Sequence, residues 1–289
     1  MPVFNGQAYL RDAVDSILNQ TFTDFELIIS DNASDDKTPE ICQKYAKQDD
    51  RIRYFRSDRN LGGAWNYNRV FALSSGQYFK WAAHDDVLEP TFLRSCVDVL
   101  DSNPEAALCY SRTRIINESG QVTGTVKTDI NLPQRRPCDR YEEVFRRLKK
   151  VENFVCNPIF GLIRSRALGQ TPLIGPYLAS DQTLLAELSL HGQFIEIPQY
   201  LFARRDHVKR AMKSASASER AEWFSPANRG KRLSPHWTFF REYLRGVHRV
   251  HMPWTQKLKC YRVVITSTKF RRLLKEISFA TRIFQTTHR

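Results

Sequence analysis

Apolar positions recur along the first third of the chain in two alternating rhythms. Leu10, Val14, Ile17 and Leu18 fall on one face at the i, i+4, i+7, i+8 spacing of an amphipathic helix. Phe25-Glu26-Leu27-Ile28-Ile29 then reads as a strand with Asp31 at its carboxyl end, and Asn32-Ala33-Ser34-Asp35-Asp36 as a turn. Thr38-Pro39-Glu40 opens a helix that carries Ile41 and Tyr45. Ile52 to Phe55 predicts a short strand, Asn60-Leu61-Gly62-Gly63 a loop, Trp65, Val70 and Leu73 a helix, and Tyr78 to Ala83 another strand. Continuous apolar strands separated by helices are the pattern of a parallel sheet covered on both faces, so the chain predicts a doubly wound α/β domain. Its opening is anomalous: Met1-Pro2-Val3-Phe4-Asn5-Gly6 goes straight into a turn, leaving too few residues for a strand of about five or six. The expectation is that the true start lies several codons upstream or that a central strand is lost.

Beyond Pro104, Ala106 to Tyr110 predicts a strand that Arg112 to Ile116 extends, and the polar, turn-rich stretch 117–137 a mobile loop over a site. Glu142 to Leu148 returns to helical spacing. Asn157 to Ile163 is apolar with Gly and Pro punctuation and reads as backbone approaching a ligand, as a buried edge, or as plain core. Ser180-Asp181 precedes Leu184, Leu185, Leu188 and Leu190, which puts Asp181 at a helix N-terminus, where capping alone explains an aspartate. In the tail, Trp237, Phe240, Tyr243, Leu244 and Val247 mark one amphipathic helix. Leu258, Tyr261, Val264 and Ile265, then Phe270, Leu273, Leu274 and Ile277, mark one or two more.

Charge sharpens this division. Residues up to 200 carry 23 Lys+Arg against 26 Asp+Glu, and those after it 21 against 5, so the net +13 belongs to the tail. Basic residues interleaved with apolar ones on helices fit an anionic membrane surface, the reading preferred here, and also fit a helical cap on the core with a solvated basic face. The six cysteines, Cys42, Cys96, Cys109, Cys138, Cys156 and Cys260, lack paired spacing and read as reduced core thiols of a cytosolic chain. No stretch resembles a signal peptide or approaches the roughly 20 apolar residues of a membrane span.

The sharpest chemistry is His84-Asp85-Asp86, directly after the apolar run Tyr78 to Ala83. Adjacent carboxylates at the carboxyl edge of a sheet sit where open α/β folds bind substrates. They suit a hard cation, Mg²⁺ or Mn²⁺, whose shell is completed by water and phosphate oxygens, so the pair points to a diphosphate-bearing ligand; the plainer reading is a cap on the helix near Pro90.

These pieces together resemble glycosyltransferase family 2 over about residues 1 to 210. The resemblance rests on Pro2-Val3-Phe4-Asn5-Gly6, the run Ser16 to Phe22 before Asp24-Phe25-Glu26-Leu27, Asp31-Asn32-Ala33-Ser34, Asn60-Leu61-Gly62 and His84-Asp85-Asp86. It implies the GT-A fold, divided into a donor half (about 1–104) and an acceptor half (about 105–210), with residues 211–289 as a basic amphipathic helical extension. It also implies inverting transfer of a sugar from a nucleoside-diphospho-sugar donor to a hydroxyl of a lipid-linked or polysaccharide acceptor, with Mn²⁺ or Mg²⁺. By the same resemblance Asp86 and His207 hold the metal, and Asp181 is the catalytic carboxylate. Asp31 contacts the base, Asp85 the ribose or sugar, and Pro2, Phe4, Asn5, Asn60 and Gly62 the donor. His84 stands where the family's Asp-X-Asp signature often begins with Asp. For His207 a surface histidine in a basic loop, and for Asn60, Gly62 and Gly63 a simple strand-to-helix turn, are the plainer readings. The Gln-X-X-Arg-Trp motif and membrane helices of the processive synthases are absent from the sequence.

A cytoplasmic protein, peripheral on the inner face of the membrane and binding no nucleic acid, follows from this reading. Two alternatives remain open at the level of sequence. A metal-dependent nucleotidyltransferase would carry a Gly-rich basic signature near its start. A non-catalytic binder of nucleic acid or an anionic surface would use the basic tail, which lacks a recognition motif.

Overall fold

Pro2–Val3 (β1), both buried, form a two-residue strand parallel to Leu27–Asp31 (β2), with Pro2 opposite Ser30 and Val3 opposite Asp31. Ile52–Arg56 (β3) continues the parallel order on the far side of β2. The first strand is therefore present but very short. The Met1 ammonium donates to the Ile28 carbonyl at 2.6 Å in a buried position, and burial pushes its pKa down to about 5. The structure, a computed structural model, describes residues 1–126, 130–150, 157–207, 216–231 and 235–267. Cys156 and the tail positions Phe270, Leu273, Leu274 and Ile277 lie outside them.

The helices of this half follow the apolar spacing. Leu10–Leu18 (α1) buries Leu10, Ala13, Val14 and Ile17, and Thr38–Gln48 (α2) buries Ile41 and Cys42. Gly63–Ala72 (α3) buries Ala64, Asn66 and Val70. The strand expected over Tyr78 to Ala83 is confined to Tyr78–Phe79 (β4), because its antiparallel partner, Leu162–Arg164 (β8), offers only three residues. The chain then runs outside the ladder, anchored by fully buried Trp81, whose Nε1 donates to the Tyr67 carbonyl, and re-enters at Val87–Leu88 (β5).

After Phe92–Ser102 (α4), Ala106–Ile116 (β6) spans the whole expected strand. Where a loop was expected over 117–137, Val122–Val126 (β7) pairs antiparallel with β6, and Ile130 and Leu132 are buried, Leu132 bonding to Phe194. Alternation too weak to read, and a side facing solvent, hide that hairpin in the sequence. Pro137–Lys150 (α5), Ser165–Leu168 (α6) and Ser180–His191 (α7) follow, and then Gln193–Arg205 (β9), which the sequence reading missed. Pro198 explains the omission: the parallel β6–β9 register jumps from Ser111↔Ile197 to Arg112↔Tyr200, so proline sits in a bulge where no ladder N–H is needed.

The second sheet runs β4-β8-β6-β9-β5 with β7 on β6, and is mixed, β6–β9 being its parallel pair. Purely parallel pairing is thus confined to β1–β3, and within the second sheet only β6 and β7 are joined by a short hairpin return. Of the segment Asn157 to Ile163, Asn157–Phe160 forms a short 3-10 turn and Leu162 and Ile163 enter β8, and Gly161 serves close packing: a Cβ there would stand 2.5 Å from the Cys109 carbonyl oxygen.

Core residues split by strand alternation. Leu27, Ile29 and Cys109 pack with α1, α2 and α4, while Ile28 and Leu108 pack on the other side with α3, α5 and α7. That is a three-layer α/β/α arrangement. Ala217–Phe224 (α8), Pro235–Arg249 (α9) and Trp254–Ile265 (α10) complete the described chain. Tyr243, Val247, Cys260 and Val264 belong to the second core group, against α5 and α7. Of the apolar stripes expected on the tail helices, Tyr243, Val247 and Val264 are buried, as a helical cap on the core requires, while Trp237, Leu258 and Ile265 are exposed. Cys42, Cys96, Cys109, Cys138 and Cys260 are free and buried, and among the described residues no helix is long and apolar enough to cross a membrane.

Candidate active site

Two tight turns build one wall. After β1, Asn5 takes a left-handed conformation (φ 51°), its N–H donating to Ser34 Oγ at 2.9 Å and its Oδ1 accepting from the Asp35 N–H at 3.0 Å. Asparagine tolerates that conformation better than most side chains. After β2, Asp31 is fully buried: it accepts from the Ser34 N–H at 2.8 Å and the Tyr54 hydroxyl at 2.9 Å, with Arg56 at 3.6 Å. Burial, then Asp31, raises the Tyr54 pKa. Asn32 reaches across to the loop before α3, its Nδ2 donating to Asn60 Oδ1 at 2.8 Å and its Oδ1 accepting from the Leu61 N–H at 3.0 Å.

The floor is His84-Asp85-Asp86, held by the end of β9. The Arg205 N–H donates to Asp86 Oδ1 at 3.0 Å, and Arg205 Nε donates to the Asp85 carbonyl at 3.0 Å. The same guanidinium reaches the carbonyls of Asn117 and Glu118 and the Asp12 carboxylate at 2.9 Å, while covering the Tyr9 ring. His207 Nε2 lies 3.0 Å from Asp85 Oδ2, its ring against Tyr9. Beneath, Lys80 Nζ donates to the carbonyls of Trp81 and Phe160; burial pushes its pKa down to about 8, with Asp86 pulling it upward. Desolvation likewise holds His84 below the ordinary imidazole value, opposed by Asp85.

These elements enclose a cleft of about 850 Å³. Pro2, Phe4, Asn5, Asn60, Asp85, Asp86 and His207, all singled out in the sequence, line it together with His84. Asp31 and Gly62 stand behind the lining. Gly62, at φ 91°, and Gly63 admit the end of α8: a Cβ on Gly62 would meet the Phe224 carbonyl oxygen at 2.7 Å, and one on Gly63 the Trp223 ring at 2.6 Å. The space over these glycines is thus filled by the protein itself.

Asp181 is the second residue of α7, accepting from the Gln182 N–H, and is not among the residues lining this cleft. The loop before α7 is tied to the cleft wall, since Ile174 and Asn68 of α3 exchange two hydrogen bonds of 3.0 Å and Asn228 Nδ2 donates to the Pro176 carbonyl at 2.7 Å.

Sequence reasoning missed Tyr9, Arg205, Trp223 and Asn66. Asn66, 3% exposed and lining the cleft, donates to the carbonyls of Val3 and Ser30, while its Oδ1 has no partner among the described residues. An amide in the apolar stretch of a helix was the available signal.

Among the described residues no group of three His, Cys, Asp or Glu side chains forms a ready-made metal cage. Asp85, Asp86 and His207 nonetheless converge on one cleft, and a hard cation of the Mg²⁺ or Mn²⁺ type commonly takes only one or two protein carboxylates, with water and phosphate supplying the rest. The donor set therefore fits such an ion.

Comparison with known proteins gives the same picture. An uncharacterized glycosyltransferase of Rickettsia felis is 32% identical over 137 residues, which is 46% of this chain and 22% of that protein. Chondroitin synthase of Escherichia coli is 27% identical over 209 residues, 72% of this chain and 28% of that protein. The matched regions thus span well under a third of either relative. The structure of S. aureus TarS residues 1–349 in complex with UDP-GlcNAc superposes with a TM-score of 0.65 at 15% identity, over 90% of this chain and 68% of that one, so the GT-A fold is shared. The model of the family "Glycosyl transferase family 2" matches residues 1–170, and the chain belongs to that family.

Proposed function

We propose that the protein transfers a glycosyl group, with inversion, from a nucleoside-diphospho-sugar to a hydroxyl of a glycan or lipid-linked acceptor, in the cytoplasm at the membrane periphery. The observation that carries this is the convergence of Asp85, Asp86 and His207 with Asn5 and Asn60 in one cleft at the carboxyl edges of β1 and β2. Asp86 and His207 would hold a Mn²⁺ or Mg²⁺ ion, which when bound neutralises charge on the departing diphosphate.

The chain's own residues do the remaining work. The turns at Asn5 and Asn32, locked to each other through Ser34 and to Asn60, give a rigid seat for a nucleoside, and the open acceptor Asn66 Oδ1 offers it a hydrogen bond. Asp31 keeps the second turn in shape; its contact with the base, like those of Pro2 and Phe4 with the donor, rests on the family resemblance, whereas Gly62 is covered by the end of α8 and shapes the loop. Asp85, oriented by His207, faces the sugar or ribose. Asp181, at the amino end of α7, is assigned the base. It takes the proton as the acceptor oxygen bonds to the anomeric carbon, and the bond from that carbon to the diphosphate oxygen breaks on the opposite side. Such proton transfer is worth about 10² to 10⁴ in rate.

The test has two parts. Thermal stabilisation by a panel of UDP-, GDP- and dTDP-sugars with Mn²⁺ is expected for one nucleotide class and is expected to vanish in Asp86→Asn. Sugar transfer is expected to fall at least about 10²-fold in Asp181→Asn, whose donor binding stays intact. Unchanged turnover in both variants would reject the assignment.

A further inference from the structure

The burial of Tyr243, Val247 and Val264 leaves the outward part of the same apolar stripes on α9 and α10 to explain. Among the described residues nine large apolar side chains are exposed, and four of them, Trp237 (49%), Trp254 (64%), Leu258 (51%) and Ile265 (48%), lie on these two helices. Their spacing is regular. On α9, Trp237, Arg241, Leu244 and His248 recur at i, i+4, i+7 and i+11, and on α10, Trp254, Leu258, Tyr261 and Ile265 repeat the same steps.

The two stripes share one surface. Leu244, Arg245 and His248 of α9 line a groove of about 540 Å³ together with Tyr261 and Ile265 of α10. Lys257 Nζ donates to the His248 carbonyl, so the helices run antiparallel, with Trp237 and Trp254 at opposite ends of the pair.

Cations divide by face. Lys259 pairs with Asp139 and Glu142 of α5, and Arg249 with buried Glu187 of α7, so both serve the packing side. Arg241, Arg245 and Arg262 are exposed on the outward side, where Glu242 meets the first two. Residues 235–267 hold six Lys+Arg against one acidic residue. Tryptophans and aliphatic side chains among solvated arginines, on a face lying flat rather than inserted lengthwise, are complementary to an anionic lipid interface: the arginines meet headgroup phosphates and the indoles enter the headgroup boundary.

We propose that this outward face of α9 and α10 docks the protein on an anionic lipid bilayer. The inference deepens the lipid-linked acceptor reading and rests on it for its purpose, while its test needs no substrate. The full chain is mixed with vesicles of phosphatidylcholine alone and with vesicles also containing phosphatidylglycerol, followed by sedimentation and tryptophan emission. Binding only to the anionic vesicles, weakened by salt and accompanied by a blue shift, is the expected result. Trp254→Ser/Leu258→Ser is expected to lose both binding and shift at unchanged Tm, because both side chains are exposed, and Arg241→Glu/Arg262→Glu to lose binding at low salt. Asp86→Asn is expected to bind as the parent does, so failure of docking and failure of the transferase reading are seen separately. Equal binding to both vesicle types, no binding to either, undiminished binding by the Trp254/Leu258 variant, or equally tight binding to soluble heparin without a blue shift would overturn the proposal.

Discussion

Asp85 and Asp86 owe their orientation to residues far away in sequence: the Arg205 N–H holds one carboxylate and His207 the other. Carboxylates after a buried strand are legible because few alternatives explain them; the arginine that fixes them is not, because a single Arg in a basic loop looks solvated until the fold buries it. Lys80 is the same kind of hidden residue, and it has a measurable consequence. Its pKa stands at about 8 rather than the ordinary 10.5, first because of burial. Between those values the unfolded chain holds a proton that the folded chain has released, so stability rises with pH across that window, and the full penalty of the buried cation is present below it. Lys80→Met is therefore expected to raise Tm near neutral pH, with the gain shrinking toward pH 10.5. Thermal unfolding of both proteins across that range checks this, and a difference that does not narrow would sink it.

At the scale of elements, apolar spacing located α1, α2, α3, α9 and α10, and also α7, which is buried on nearly every side. It failed for β9, whose proline-containing bulge breaks alternation, and for β7, whose exposed side offers no apolar signal. The glycines before α3 illustrate a subtler limit. Their presence announces a close approach but not what approaches, and here the visitor is α8 with Trp223. Gly62→Ala combines a φ of 91° with a clash against the Phe224 backbone, and is expected to cost about 1 to 3 kcal/mol. In a domain of this size that lowers Tm by roughly 2 to 4 °C per kcal/mol. Calorimetry measures it; an unchanged Tm would mean that α8 does not rest on this loop.

For the whole molecule, the charge asymmetry suggested an appendage after residue 210, whereas α9 and α10 contribute Tyr243, Val247, Cys260 and Val264 to the core shared with α5 and α7. If the tail is part of that cooperative unit, Val247→Ala, at a fully buried position, costs about 1 to 3 kcal/mol and shifts one common transition. Circular dichroism and tryptophan emission followed together on heating are expected to coincide in parent and variant. A separate early transition for the tail would make it a domain of its own.

By itself the sequence determined the layered α/β class, the family, and the local motifs of the cleft, because each rests on short-range spacing and on residue types with few other uses. Tertiary structure alone decided which face of the tail helices is buried, what fills the space over Gly62 and Gly63, and how Arg205, Tyr9 and Asn66 join the site. Those outcomes depend on contacts between positions as much as 193 residues apart, such as Arg205 with Asp12. A helix with apolar residues on both faces carries no local mark of which one its neighbours will cover; the larger area removed from water settles it.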